Sequence, residues 1–182
     1  ALVRYATARR QWQAERKALQ PPILKLPSAA GPVSTPAGAQ LLKSCGVVVA
    51  RTEFAATAAD AAACAARIGY PVALKIESAD ILHKTDAGGV ALGLADAAAV
   101  TAAFARVVGN ARRYKSAARI DGVIVQQMVP DGIDMVIGLQ NDPLFGPVVM
   151  AGLGGIHVEV LKDIAFRKAP VTAAEAERML DE

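Results

Sequence analysis

The sequence predicts an α/β (α+β) chain of two lobes with mostly antiparallel sheets, and three observations carry that prediction. Residues 71–94, PVALKIESADILHKTDAGGVALGL, read as two strands joined by a long loop. Around this hairpin, alanine-rich segments with recognisable caps give the order helix, strand, helix, hairpin, helix. From Val123 onward the character changes to short apolar runs separated by PDG, NDPLFG and GLGG turns, the pattern of successive strands.

Taken in order, residues 1–20 place Tyr5, Ala8 and Trp12 on one stripe among arginines, which predicts an amphipathic helix. Residues 21–36 hold half of the ten prolines and form a Pro-rich linker. The helix that opens this chain therefore reads as the tail of a preceding region. A first lobe is expected over 37–115 and a second over 116–182. Thr35 is an N-cap with Pro36 at the first helical position, and that helix stops at Gly46. Val47 to Val49 follow as a short strand. Thr57 with Asp60 starts the next helix, which ends near Gly69, and Asp96 caps another whose buried face is Val100, Phe104, Val107 and Val108.

Within the hairpin, Val72, Leu74 and Ile76 alternate with Ala73, Lys75 and Glu77, so one face is apolar and the other presents a cation and a carboxylate. In the second strand Val90, Leu92 and Leu94 alternate with Gly89, Ala91 and Gly93, leaving a face nearly bare of side chains on which a flat or charged ligand can approach the backbone. Residues 112–121 are polar and basic and read as the crossing between lobes. Beyond them, Val123–Val129, Met135–Gln140, Val148–Gly152 and Ile156–Leu161 are the expected strands. Thr172 and Glu175 form a capping box for a last helix left unfinished at Glu182, so the second lobe is expected to be C-terminally incomplete.

Composition narrows the function. At 182 residues and 53% apolar the chain can bury a core, and no run approaches the roughly 18 apolar residues of a membrane span. Cys45 and Cys64 lie in helical segments without CxxC spacing, so they are expected as free thiols in a reducing, cytoplasmic setting. The net charge of +3 is concentrated in residues 1–20, and basic residues interleaved with aromatics are missing elsewhere. Neither nucleic acid nor membrane is expected as a partner.

Lys75 beside a glycine-rich hairpin points to a phosphate or nucleotide, although GxxxxGK[ST] is absent and the site is not of the Walker type. His83 is either a loop histidine with local hydrogen bonds or a functional imidazole, whose neutral form is a nucleophile toward phosphorus. His157, Glu159 and Asp163 share strand parity opposite Ile156, Val158 and Val160. Such a row suits either a solvated strand face or contact with a nucleotide or its metal. Gly154-Gly155 alone is a weak signal.

PVALKIESADILHKTDAGGVALGL, VIVQQM and DPLFGPVVMAGLGGIHVEVLKDIAFRKAP together resemble the ATP-grasp domain of the NDP-forming acyl-CoA synthetases, which include ADP-forming acetyl-CoA synthetase and are related to succinyl-CoA synthetase β subunits. The resemblance covers Ser34 to Glu182. It implies ATP or ADP held with Mg²⁺ between two lobes: Lys75 and Lys84 at the phosphates, Gly88 and Gly89 covering them, and Gln126, Gln127, Met128 and Val129 as the hinge strand around adenine. Asp134, where the family usually has the longer glutamate, Glu159 and Asp163 complete the implied nucleotide site. His83 stands in the family's H-K-[ST]-D-x-G-G-V loop, whose histidine relays a phosphoryl group between ADP and a phosphohistidine carried on another domain. The family's main metal ligands fall beyond Glu182, so no metal ligand is assigned here and the isolated fragment is expected to be inactive. The implied partners are CoA-binding and ligase domains of the same or a partner chain, and a homo-oligomer is compatible with the resemblance. A non-catalytic regulatory module of a protein lysine acetyltransferase is the alternative.

Overall fold

The computed structural model describes residues 33–130, 132–154 and 164–181. The helix expected over 1–20, the linker up to residue 32, the strand Ile156–Leu161, and with it His157, Glu159 and Asp163, lie outside the described residues. The chain divides into two compact units on either side of Pro130.

In the first unit the order is α1 (Thr35–Ser44), β1 (Thr52–Ala55), α2 (Ala58–Ile68), β2 (Val72–Glu77), β3 (Val90–Leu94), α3 (Ala97–Tyr114) and β4 (Gly122–Gln127). The four strands form one sheet in the order β1-β4-β2-β3, with every pairing antiparallel. Both expected caps are present: Thr57 Oγ1 accepts from the Asp60 N–H at 3.1 Å and Asp96 Oδ1 from the Ala99 N–H at 2.7 Å. Helices α2 and α3 pack on the face formed by Val72, Leu74, Ile76, Val123 and Val125, and Ile68, Val100 and Val107 fill the space between. Each such side chain contributes about 1.5–3 kcal/mol through burial. That sum fixes the sheet's register and therefore which residues face the other way.

Four sequence expectations change here. The N-cap of α1 is Ser34, whose Oγ accepts from Ala37 N–H at 3.4 Å. Thr35 is already helical, and its own N–H and hydroxyl donate to Glu77. Val47–Val49 form no strand, and Val48 is 97% exposed. β-branched residues alone do not make a strand without a partner, and the partner, β4, takes Thr52–Ala55 instead. In β3 the register slips, so that Leu92 and Gly93 together oppose Ala73. Ala91 and Leu94 thereby enter the core while Leu92 is 63% exposed, and the bare strand face expected from strict alternation does not exist. Finally, residues 115–121 lead from α3 into β4, which lies between β1 and β2 in the first sheet. The boundary expected at 115/116 thus moves to Pro130.

The second unit has β5 (Met135–Asp142), β6 (Gly146–Leu153), β7 (Ile164–Lys168) and α4 (Ala173–Asp181), with the strands in an antiparallel sheet of order β5-β6-β7. Asp142 Oδ1 accepts from the N–H groups of Leu144 and Phe145, each at 2.8 Å, and Gly146 follows at φ +74°, closing a three-residue hairpin loop. β7, with the sequence IAFRK, was not expected as a strand. Its consecutive Arg167 and Lys168 hide the alternation, which pairing with Val148–Gly152 supplies. The Thr172–Glu175 capping box is formed in both directions: Thr172 N–H donates to Glu175 Oε2 at 2.8 Å and Glu175 N–H to Thr172 Oγ1 at 3.1 Å. Helix α4 covers Ala151, Ala165 and Val149 with Met179.

Candidate functional site

Because Val72, Leu74 and Ile76 are committed to the helices, alternation along β2 sends Ala73, Lys75 and Glu77 to the opposite face. The antiparallel register adds Ile124 and Gln126 from β4 and Thr52 and Phe54 from β1 to that face. Its floor is apolar and closed, with Ala73 at 3% and Ile124 at 1% exposure. Lys75 stands half-buried on it. The ammonium donates to Gln126 Oε1 at 2.6 Å, and no carboxylate among the described residues pairs with it. Burial first, and the nearby Lys84 second, push the Lys75 pKa down. A cation held in that way has unmet demand for an anion.

Lys84 is differently placed. Its Nζ lies 2.9 Å from Glu77 Oε2 and 3.3 Å from Thr35 Oγ1, so its charge is already answered. Glu77 Oε1 also accepts the Thr35 N–H at 2.8 Å, and Oε2 the Thr35 hydroxyl at 2.9 Å. Burial works to raise the Glu77 pKa, but the hydrogen bonds from Lys84 and Thr35 outweigh it and hold the carboxyl below its usual range. Glu77 and Thr35 were not among the sequence candidates. The signal was the carboxylate noted on the polar face of β2, without any sign of what it would meet.

The β2–β3 loop is fastened along most of its length. Ser78 Oγ donates to Arg119 O at 2.7 Å, and Asp80 Oδ2 accepts the Arg119 N–H at 2.8 Å. Ile81 and Ala87 are buried anchors. Between them His83 is exposed, and among the described residues its imidazole has no hydrogen-bond partner. The glycine pair closes the loop. Gly88 has φ +58°, and a Cβ there would sit 2.8 Å from Asn110 Nδ2, which donates to Gly88 O at 2.9 Å. At Gly89 a Cβ would meet Ile76 Cγ1 at 2.6 Å. Both amides are used inside the loop, Gly88 N–H to Thr85 O at 2.9 Å and Gly89 N–H to Lys84 O at 2.8 Å. The pair therefore fastens the loop; it does not offer its amides to a phosphate.

Of the hinge residues, Gln126 faces Lys75, whereas Gln127 Oε1 accepts from Arg51 Nε at 3.3 Å and its N–H donates to Arg51 O at 2.8 Å. Met128, half-buried, and Val129, 72% exposed, continue past the paired end of β4. The structure thus brings Lys75, Lys84, Gln126 and the His83 loop together in the first unit. Asp134 belongs to the second unit, exposed, with its carbonyl accepting the Gly154 N–H at 2.6 Å. Also in the second unit, a groove of about 440 Å³ is lined by residues that include Gly138, Gln140, Val148, Met150 and Phe166. Among the described residues no three His, Cys, Asp or Glu side chains come together in a way that could hold a metal ion, and no helix is long and apolar enough to cross a membrane.

Against known proteins, the family described as the ATP-grasp domain matches residues 28–182. The chain is 46% identical over 143 residues to a 4-hydroxybutyrate–CoA ligase (ADP-forming) of Nitrosopumilus maritimus, a match covering 79% of this chain and 20% of that protein. It is 42% identical over 151 residues to the beta subunit of acetate–CoA ligase (ADP-forming) I of Pyrococcus furiosus, covering 83% of this chain and 65% of the subunit. A structure of the dinucleotide forming acetyl-coenzyme A synthetase 1 of Ca. Korarchaeum cryptofilum, in complex with coenzyme A, Ca-AMPCP and HgCl⁺, superposes with a TM-score of 0.78 at 37% identity, over 82% of this chain and 66% of that one. This chain thus spans 20% of the 4-hydroxybutyrate–CoA ligase and 65% of the acetate–CoA ligase beta subunit.

Proposed function

This chain belongs to the ATP-grasp domain family, and on that premise we propose that it supplies the nucleotide-binding part of an ADP-forming acid–CoA ligase, for which the overall reaction is acid + CoA + ATP ⇌ acyl-CoA + ADP + phosphate. The single observation that carries this reading is Lys75, a half-buried ammonium held by Gln126 at 2.6 Å, lacking a carboxylate partner among the described residues and standing near a second cation. Such a group matches a phosphate chain. The ligases to which the chain is similar support the acid–CoA ligase over a regulatory module of a lysine acetyltransferase, which draws no support from them.

In this reading Lys75 binds phosphate oxygens, and Gln126, whose Oε1 is taken by the ammonium, turns its NH₂ donors to the same ligand. Met128 and Val129 are assigned to the base. Lys84 acts through the loop, since Glu77 already neutralises it. His83 is the phosphoryl relay between the nucleotide and the phosphohistidine of another domain. A ring nitrogen of the neutral imidazole attacks the γ-phosphorus of ATP, the N–P bond forms as the bond to the bridging oxygen breaks, and ADP departs with the electron pair. The reverse step returns the group to ADP. Phosphoryl transfer of this kind needs positioning and charge neutralisation more than covalent help, and an exposed imidazole on a fastened loop suits it. Mg²⁺ bound with the nucleotide would neutralise phosphate charge and would be held mainly through phosphate oxygens. The described residues provide no built site for it. CoA-binding and ligase domains, on the same or a partner chain, complete the enzyme.

The test is His83→Ala in the complete ligase, followed with [γ-³²P]ATP. Label transfer to protein histidine is expected to vanish while the Kd for ADP stays within about twofold. Transfer at the unaltered rate removes His83 from the reaction and, with it, this reading of the loop.

A further inference from the structure

The site contains one buried carboxylate to which the chemistry just described gives no task. Glu77 closes β2, two residues beyond Lys75 and on the same face, and its side chain is 12% exposed. Both oxygens are engaged: Oε1 by the Thr35 N–H, and Oε2 by the Thr35 hydroxyl and Lys84 Nζ. Its backbone is held too, because Glu77 O accepts the Asp121 N–H at 2.9 Å just ahead of β4. Glu77 therefore cannot swing with the loop. It is a fixed post at the end of a core strand, and the loop is tied to it through Lys84.

We propose that Glu77 is a positioning residue for His83: by holding Lys84 and the first turn of α1 in one carboxylate, it sets where the adjacent imidazole stands. The inference rests on the ligase reading. Released from Glu77, the flexible lysine would carry its charge toward any phosphate at neighbouring Lys75 and draw His83, its neighbour in sequence, along with it. Paired, it leaves Lys75 as the anion's contact and keeps the imidazole in a fixed place. A displacement of about 1 Å in a reacting group costs on the order of 100-fold in rate, so a tether of this kind is felt in turnover even though it touches no reacting atom.

The test uses the complete ligase and [γ-³²P]ATP in single turnover, with the ADP Kd measured alongside. Glu77→Gln is expected to slow label transfer by about 10- to 100-fold with the ADP Kd within about threefold. In a Lys84→Met background the same Glu77→Gln change should add less than about threefold, because the effect passes through the lysine. Val107→Ala, a fully buried core change on α3, serves as the stability control: it should lower Tm while transfer keeps its rate. Three results overturn the inference: wild-type transfer in Glu77→Gln, an equal loss of ADP affinity, or effects of Glu77→Gln and Lys84→Met that simply multiply. Unchanged transfer in His83→Ala overturns instead the reading of the loop on which the inference rests, whatever the Glu77 variants do.

Discussion

Replacing Lys75 with methionine removes a charge and keeps the stem, which makes it the sharpest probe of the anion site. In the folded chain the ammonium has one described partner, Gln126 Oε1 at 2.6 Å, and its pKa is pushed down by burial and then by Lys84. The charged form is therefore disfavoured by the fold. The sign follows: with the folded pKa below the ordinary lysine value of 10.5, the unfolded chain binds the proton more tightly, and stability rises as pH climbs from the folded pKa toward 10.5. Methionine relieves that cost, so Tm should hold or increase. Toward a phosphate the balance reverses. A charge-assisted hydrogen bond contributes about 1.5–3 kcal/mol, which corresponds to roughly a 10- to 150-fold rise in the Kd for ADP. Isothermal titration calorimetry and thermal denaturation of the same preparations read both quantities. An unaltered Kd, or a fall in Tm of more than about 4 °C, roughly 1 kcal/mol for a small unit, would refute the reasoning.

Gly89→Ala should destabilise the first unit by about 1–3 kcal/mol, because its Cβ would have to displace Ile76 Cγ1 from 2.6 Å; a denaturant midpoint equal to wild type argues that the loop closes in another way. Although burial raises the Glu77 carboxyl, its partners hold it below the ordinary glutamate value of 4.5 on balance, so its contribution is present above that pH and is lost as pH falls through the lower folded pKa. Tm measured between pH 6 and pH 3, roughly spanning carboxylate titration, should therefore fall less steeply in Glu77→Gln than in wild type, and parallel curves speak against the assignment.

Much of the first unit was legible because local signals agreed with one another. Thr57 and Asp96 cap where their spacing says, and Val72-Leu74-Ile76 sits in the core as the alternation requires. Legibility failed where a residue's fate depends on a distant partner. Thr35 reads as a cap until Glu77, 42 residues away, takes its hydroxyl and Ser34 takes the capping position. Leu92 reads as core until the two-for-one register opposite Ala73 turns it outward. β4 belongs with β1 and β2 even though its neighbours in sequence are strands of the second unit, because pairing order is a long-range property. In the site, Lys75 was identifiable from strand parity. The difference between Lys75 and Lys84, one without a carboxylate partner among the described residues and one paired with Glu77, was not, since both are lysines near the same glycines.

The loop that presents His83 has the amides of Ala87, Gly88 and Gly89 bonded within it and its flanks pinned to Arg119, Asn110 and the core. Its shape is thus decided before any substrate arrives. On the proposed reading an acceptor that stands still leaves the travelling to its counterpart, and whatever brings phosphate to this imidazole is the partner that moves.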